Sequence, residues 1–166
     1  MVKVIDSSNP ERYELDKIDR QICDLLQQNG KLSLRELAEE LKISVSTVKH
    51  HYDLLDKYKI IKKTMALIDC CKIGYQDMLI FNIRVNNSRP IQEICEDLNK
   101  VPRINFLYQI SGAYPIMGMA KCLGKEPQLQ LLEQVKSIAG VEEVITQIVM
   151  KRIKEDLTLE IPGTIN

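Results

Sequence analysis

The chain has no tryptophan, two phenylalanines and only two histidines among its 166 residues. Aromatics at 5% leave too few rings for a surface that reads single-stranded RNA by stacking, which needs paired aromatic and basic residues. The two histidines, His50 and His51, are neighbours, so no imidazole is available elsewhere for acid–base work or metal binding. Paired acids such as Glu142-Glu143 point to opposite faces of a strand and read as solvated ends or pair partners, and Glu96 and Asp97 as a wet helix face. An enzyme is therefore not expected, and no catalytic, cofactor or metal residue is assigned. Nothing approaches 18 consecutive apolar residues, and the opening MVKVIDSSNPERYELD lacks a signal-type apolar run, so the expectation is a cytoplasmic protein outside the membrane. The five cysteines, Cys23, Cys70, Cys71, Cys95 and Cys122, are odd in number and show no zinc spacing. They read as structural thiols of a reducing compartment, with vicinal Cys70-Cys71 the one pair to watch.

An excess of charge is missing too. Lys and Arg total 23, Asp and Glu 23, which is unhelpful for gripping phosphates across a whole surface. Residues 1–66 carry 12 basic against 11 acidic side chains, so splitting the chain changes little. The imbalance is local: Lys42, Lys49, Lys57, Lys59, Lys62 and Lys63 face only Asp53 and Asp56 between positions 42 and 63. A small basic surface binds tightly when several copies act together, which argues for an oligomer.

What the chain does have is clearest in residues 31–61. Leu34, Leu37, Ala38 and Leu41 recur at i, i+3, i+4 and i+7, one apolar stripe of a helix. Ser33 and Glu36 are spaced as a capping box. After Lys42-Ile43, Ser44 is placed to cap a second helix with an apolar face of Val45, Val48, Tyr52 and Leu55. Its other face carries Ser46, Lys49, His50, Asp53 and Lys57. A third stripe precedes them (Leu15, Ile18, Ile22, Leu25, Leu26) and stops at Asn29-Gly30. Three short helices, the last showing hydroxyls and cations near its N-terminus, predict a helix-turn-helix that enters the major groove of double-stranded DNA. Ile60, Ile61 and Ala66, interleaved with Lys62, Lys63 and Thr64, suggest an extended segment or small wing.

From about residue 78 the pattern becomes strand, helix, strand, strand, helix, strand: MLIFNIRV, a helical stretch to Lys100, INFLYQI, YPIMGMAKC, a helix over roughly 126–139, and VEEVITQIVMKRI. This is the βαββαβ order of ferredoxin-like folds. The two halves also repeat at a constant offset of 37. Pro90 matches Pro127, Ile94 matches Leu131, Cys95 matches Leu132, and Leu98 matches Val135. Val101, Ile104 and Leu107 match Ile138, Val141 and Val144. Simple alternation in INFLYQI puts Ile104, Phe106, Tyr108 and Ile110 on one side and Asn105, Leu107 and Gln109 on the other. With helices covering one face and apolar residues on both sides of YPIMGMAKC, the second face reads as a dimerisation surface.

These residues resemble the Lrp/AsnC, or feast/famine, family. The matching elements are Leu15-Asp16-x-x-Asp19-x-x-Ile22, Asn29-Gly30, Leu37-Ala38, Leu41, Ser44-x-Ser46-Thr47-Val48 and Ile60-Ile61-Lys62. Met65-Ala66-Leu67-Ile68-Asp69 with Lys72-Ile73-Gly74-Tyr75 looks like the family's linker, and Ile110-Ser111-Gly112-Ala113-Tyr114 like its effector-contacting turn. The similarity spans about residues 14–154. It implies a transcription regulator whose helix-turn-helix reads DNA and whose ferredoxin-like domain dimerises, with dimers assembling into a tetramer or octamer. Small molecules, usually amino acids, bind between its C-terminal domains. There are departures. The recognition helix reads Lys49-His50-His51-Tyr52-Asp53-Leu54 where the family is rich in arginine. Position 59, commonly glycine, is Lys, and the turn reads Gly112-Ala113-Tyr114-Pro115 where the family often has Gly-x-Tyr-Asp.

The expected architecture is α+β: an N-terminal tail (1–13), a three-helix helix-turn-helix domain (14–63), a linker strand and hinge (64–77), a ferredoxin-like dimerisation and effector-sensing domain (78–154), and a C-terminal tail (155–166). The expected function is sequence-specific, effector-responsive transcription regulation; the alternative is a weakly specific DNA-organising protein without an effector. DNA contacts are expected from Ser44, Ser46, Thr47, Lys49 and His50, with His51 equally suited to packing. Effector contacts are expected from Ser111, Gly112, Ala113, Tyr114 and Pro115, with Thr146 and Gln147 offered by a neighbouring subunit.

Overall fold

Each helix of the N-terminal half begins where a short polar side chain satisfies free N–H groups. In the computed structural model, which describes residues 13–75 and 77–162, Asp16 caps α1 (Lys17–Gln28), Ser33 caps α2 (Leu34–Leu41) and Ser44 caps α3 (Val45–Lys57). The first two are full capping boxes: Asp19 and Glu36 reach back to the cap N–H groups as the cap side chains accept from theirs. Burial of Ile22, Leu37, Ala38, Val48 and Leu55 fastens the three helices to one core, ringed by Leu15, Ile18, Leu41 and Tyr52. Both helices of the helix-turn-helix are followed by left-handed lysines. Lys42 (φ 54°) ends α2, and Lys59 (φ 58°) follows α3.

The described residues fall into two compact units, one drawn from Met1–Leu67 with Asp156–Asn166, the other Ile68–Glu155. The expected N-terminal tail lies outside the described residues except for Tyr13, which stacks on Tyr58 with ring centroids 4.7 Å apart. Residues 156–162 are not a loose tail. Leu159 exchanges two hydrogen bonds with the Gln27 side chain, and Ile161 packs on the helical core. Residues 62–69 form no strand, so neither the small wing nor the linker strand is present. The segment carries exposed apolar side chains at Met65, Leu67 and Ile68.

In the second unit, β1 (Asp77–Val85), α4 (Ile91–Asn99), β2 (Ile104–Gln109), β3 (Ile116–Cys122), α5 (Lys125–Lys136) and β4 (Val141–Ile148) follow in the expected order. The sheet order is β2-β3-β1-β4, antiparallel throughout, which is the ferredoxin-like arrangement. Leu79, Phe81, Ile83, Ile116, Ala120 and Cys122 meet Ile94, Leu98, Leu131 and Val135 beneath the two helices. The repeat at offset 37 is structural: Ile94 and Leu131 are both fully buried, as are Leu98 and Val135.

Alternation misassigned β2. Ile104 pairs with Ala120 and Phe106 with Met119, so Asn105 is an extra residue, a β-bulge. Its side chain accepts the Lys121 N–H at 3.0 Å. The bulge turns both Ile104 and Leu107 toward the helices and leaves Phe106 and Tyr108 on the open face. β4 has the same defect at the repeat-related position. Val85 faces Val141 and Arg84 faces Glu143, which leaves Glu142 as the extra residue and Val141 and Val144 both inward. Glu142 and Glu143 therefore do not simply alternate across the strand.

A recognition helix and a braced turn

The N-terminus of α3 is a cluster of hydroxyls. Ser44 Oγ accepts the Thr47 N–H at 3.1 Å and lies 2.8 Å from Ser46 Oγ and 2.7 Å from Thr47 Oγ1. Ser44, Ser46, Lys49 and His50 are exposed, and Thr47 is half-buried. The first-turn N–H groups and the positive end of the helix dipole open on the same surface, a favourable place for phosphate. Lys49 pairs with Asp53 at 3.1 Å, both well exposed. Such a pair contributes at most about 0.5 kcal/mol, so a phosphate can draw Lys49 away from it.

His51 is set apart from this group. Its side chain, only 13% exposed, turns inward, and Nδ1 lies 2.9 Å from Oδ1 of fully buried Asp19 and 3.6 Å from Asp16. The other Asp19 oxygen accepts from the Asp16 N–H and the Tyr13 hydroxyl, both at 3.0 Å. His51 therefore ties α3 to α1: the 100° step from exposed His50 turns it toward α1 rather than toward solvent, the packing alternative of its expected roles. Burial pushes the Asp19 carboxyl up, but hydrogen bonds from the Asp16 N–H, His51 and Tyr13 outweigh it and hold the group below its ordinary 3.8. Burial, then the hydrogen bond to that carboxylate, push Tyr13 up to about 12. Asp16, Asp19 and His51 offer ligand atoms close enough for a metal, but Asp19 already accepts from His51, Tyr13 and the Asp16 N–H.

In the second unit the turn expected to contact an effector follows β2. Ile110 N–H donates to Pro115 O at 2.8 Å, closing Ser111–Pro115 into a tight loop. Gly112 has φ 115°, and a Cβ there would meet nothing within 4 Å; the glycine serves backbone conformation rather than close packing. Ser111, Gly112 and Ala113 are exposed. Tyr114 is braced: Arg84 Nη2 donates to its hydroxyl at 2.9 Å, that hydroxyl donates to Glu143 at 3.0 Å, and Arg84 reaches Glu143 at 3.2 Å while stacking over the ring. Arg84 was not singled out in the sequence, and Glu143 only as a solvated end or pair partner; the β1–β4 register shows that they meet. Thr146 and Gln147 lie late on the β4 edge, both exposed, Gln147 opposite Ile80 on the open face and Thr146 opposite Phe81 on the helix side. Among the described residues, then, the expected effector set divides into a braced turn and a separate edge-strand pair.

The open face itself carries apolar side chains on all four strands. Phe106 and Tyr108 stack with centroids 6.3 Å apart, beside Met117, Met119, Ile80 and Ile145.

A three-helix DNA-reading unit followed by a ferredoxin-like unit with a bare apolar sheet face defines a class of transcription regulator, and comparison with known proteins agrees. Residues 15–62 match the winged helix-turn-helix DNA-binding model, and residues 78–159 match the Lrp/AsnC ligand-binding domain. The HTH-type transcriptional regulator FL11 of Pyrococcus horikoshii is 32% identical over 151 residues, covering 91% of this chain and 98% of its own. FL11 of Pyrococcus furiosus is 32% identical, with 89% and 96% covered. The chain belongs to the Lrp/AsnC family of DNA-binding transcription regulators, not to an enzyme family. Solved structures share the fold. A Neisseria meningitidis transcriptional regulator in complex with L-Met superposes with TM-score 0.81 at 22% identity, covering 89% of this chain and 97% of that one. LrpC of Bacillus subtilis gives TM-score 0.75 at 25% identity, with 86% and 99% covered. Among the described residues no helix is long and apolar enough to cross a membrane.

Proposed function

We propose that the protein is a sequence-specific, effector-responsive regulator acting in the cytoplasm, which reads DNA with Ser44, Ser46, Thr47, Lys49 and His50. The observation that carries this is the exposed hydroxyl and cation surface at the start of α3, opposite the buried Val48 and Leu55. Lys49 supplies phosphate affinity, whereas Ser46 and His50 reach base edges. Lys49→Ala should weaken all duplexes alike and lower the salt slope by about 1, while Ser46→Ala or His50→Ala should cost about 1–3 kcal/mol on a selected duplex only. If the quadruple alanine variant of Ser46, Thr47, Lys49 and His50 binds that duplex as the parent does, the reading is wrong. Equal affinity for random and selected DNA would favour an architectural role instead.

The Ser111–Pro115 turn, with Thr146 and Gln147 of a neighbouring subunit, is proposed to bind a small-molecule effector of the amino-acid class; the L-Met complex of the Neisseria relative supports that class. Pro115 brings no carboxylate, and Glu143 is already committed to Tyr114 and Arg84, so backbone groups of residues 112–114 carry recognition. The apolar sheet face supports a homodimer, and dimers assemble further into a tetramer or octamer. A melting screen against the amino acids tests the effector: a shift that grows with ligand concentration names it, and no shift with any of them removes the amino-acid class.

A further inference from the structure

The chain enters the second unit through a turn that carries both vicinal cysteines and leaves it through a segment that carries Arg152. The turn is well held: Asp69 accepts from the Cys71 and Lys72 N–H groups, Gly74 N–H donates to Cys71 O, and Tyr75 N–H donates to Cys70 O. Arg152 then joins the two segments through sulfur. Nη1 donates to Cys70 Sγ at 3.0 Å and Nη2 to Cys71 Sγ at 2.7 Å, so adjacent side chains that would often diverge converge on one guanidinium. Cys70 is 7% exposed, whereas Cys71 is open to solvent. Glu155 accepts from Arg152 at 3.4 Å and lies 3.9 Å from Lys121, which fixes the two cations around the sulfurs. The remaining cysteines differ in setting: Cys23 and Cys122 are buried and Cys95 half-buried, and burial pushes all three thiols up.

We propose that Cys70 and Cys71, gathered on Arg152, form a modification site for hydroperoxides that closes to a reversible vicinal disulfide. The exposed Cys71 sulfur attacks one peroxide oxygen as its proton leaves; the O–O bond breaks, the departing alkoxide takes up a proton as alcohol, and Cys71 becomes a sulfenic acid. Cys70 sulfur then attacks Cys71 sulfur, the S–OH bond breaks, and water departs with the Cys70 proton. Two thiols are oxidised by two electrons and one peroxide is reduced. Burial pushes the Cys70 thiol up, but Arg152 and Lys121 together hold it below its ordinary value, which suits it to the second attack. Adjacent Cα atoms lie about 3.8 Å apart, closer than an unstrained disulfide prefers, so the bond should reopen readily with a dithiol reductant. Closure removes both sulfur acceptors from Arg152 and leaves it to Glu155, which loosens the clasp between the entering and leaving segments.

The test uses the full chain, reduced, desalted and treated with one equivalent of tert-butyl hydroperoxide. Two of the five thiols should disappear, and the tryptic peptide Thr64–Lys72, which holds both cysteines, should become two hydrogen atoms lighter and recover with dithiothreitol. Cys70→Ser should instead accumulate a sulfenic acid at Cys71 that dimedone traps. Arg152→Met, with circular dichroism confirming its fold, should slow disulfide closure about tenfold. Overturning results are an intact Thr64–Lys72 peptide while other cysteines react, irreversible sulfonic acid without a disulfide intermediate, or closure in Arg152→Met at the parent rate.

Discussion

Replacing His51 by alanine, and separately His50, distinguishes two adjacent imidazoles that the fold gives opposite tasks. His51 serves Asp19, a carboxylate with no solvent exposure that also receives Tyr13 and the Asp16 N–H. At about 0.05–0.15 kcal/mol per residue, a unit of about 60 residues holds only about 3–9 kcal/mol. His51→Ala leaves two other donors on Asp19 and should cost about 1–2 kcal/mol. Asp19→Ala strands three donors at once and should cost about 3–5 kcal/mol, most of what the unit has. The double variant should fall short of the sum by about 1–2 kcal/mol because the two share one hydrogen bond. Hydrogen exchange of the α1 and α3 amides reads this unit without interference from the other. His51→Ala should speed that exchange about 5- to 30-fold while leaving the DNA affinity of the folded molecules within about twofold; His50→Ala should do the reverse. If His51→Ala leaves exchange unchanged and weakens DNA binding as His50→Ala does, the assignment of His51 to α1 is refuted. The pH dependence follows with its sign. Asp19 is lowered in the folded state, so its contribution is complete above 3.8 and is lost as pH falls below that value. Tyr13 is raised from 10.0 to about 12, so its contribution is complete below pH 10 and is lost as pH rises through 10–12.

Lys59 occupies a left-handed conformation that glycine adopts without strain, so Lys59→Gly should stabilise the helical unit by about 1 kcal/mol in denaturant melts; a loss of stability would show that its side chain contributes more than its backbone costs. Gly118 lies under Phe81, where an added Cβ would run into the ring; Gly118→Ala should destabilise the sheet unit by about 1–3 kcal/mol, and a melt indistinguishable from the parent would contradict this packing. Tyr108→Asp together with Met117→Asp should shift the assembly toward monomer in sedimentation, because both lie on the open sheet face; an unchanged oligomer would place the interface elsewhere. Gly112→Asp must hold φ 115° with a side chain, so effector-dependent melting should vanish while effector-free DNA binding persists; a parental effector response would move the site away from this turn.

Why some of this was legible in the sequence and some was not comes down to the range of the interaction that decides each feature. Ser33, Glu36 and Ser44 declare their roles within four residues, because a cap is a local hydrogen bond. The stripes of α1–α3 are equally local, and the residues they name enter the core, except Val45, which is exposed at the start of α3. His51 is different. Its place on α3 allowed either fate, and only the approach of Asp19 from 32 residues away decides it. Arg84, Tyr114 and Glu143 likewise meet only through strand pairing, which no short window contains.

The β2 strand is the instructive case, because two readings of the same residues disagreed. Alternation grouped Ile104 with Phe106 and Tyr108, a period-2 inference that assumes an unbroken ladder. The offset of 37 instead matched Ile104 and Leu107 to Val141 and Val144, a spacing of three that no regular strand can place on one face. Both pairs pack against the helices, and each strand carries its extra residue inside that interval, Asn105 in one and Glu142 in the other. A spacing of three that recurs at the repeat offset is therefore itself evidence for a bulge, and here it outweighs alternation. The consequence reaches the proposed assembly. By turning Leu107 inward, the bulge releases Phe106 and Tyr108 to the open face, where they stack beside Met117 and Met119. Deleting Asn105 removes the one residue outside the ladder and leaves Ile104 opposite Ala120, Leu107 opposite Gly118 and Tyr108 opposite Met117, so Leu107 should stay inward, Tyr108 should stay on the open face, and core and interface should both survive. A deletion variant that melts well below the parent and loses its oligomer would show that Asn105 is not the residue outside the ladder.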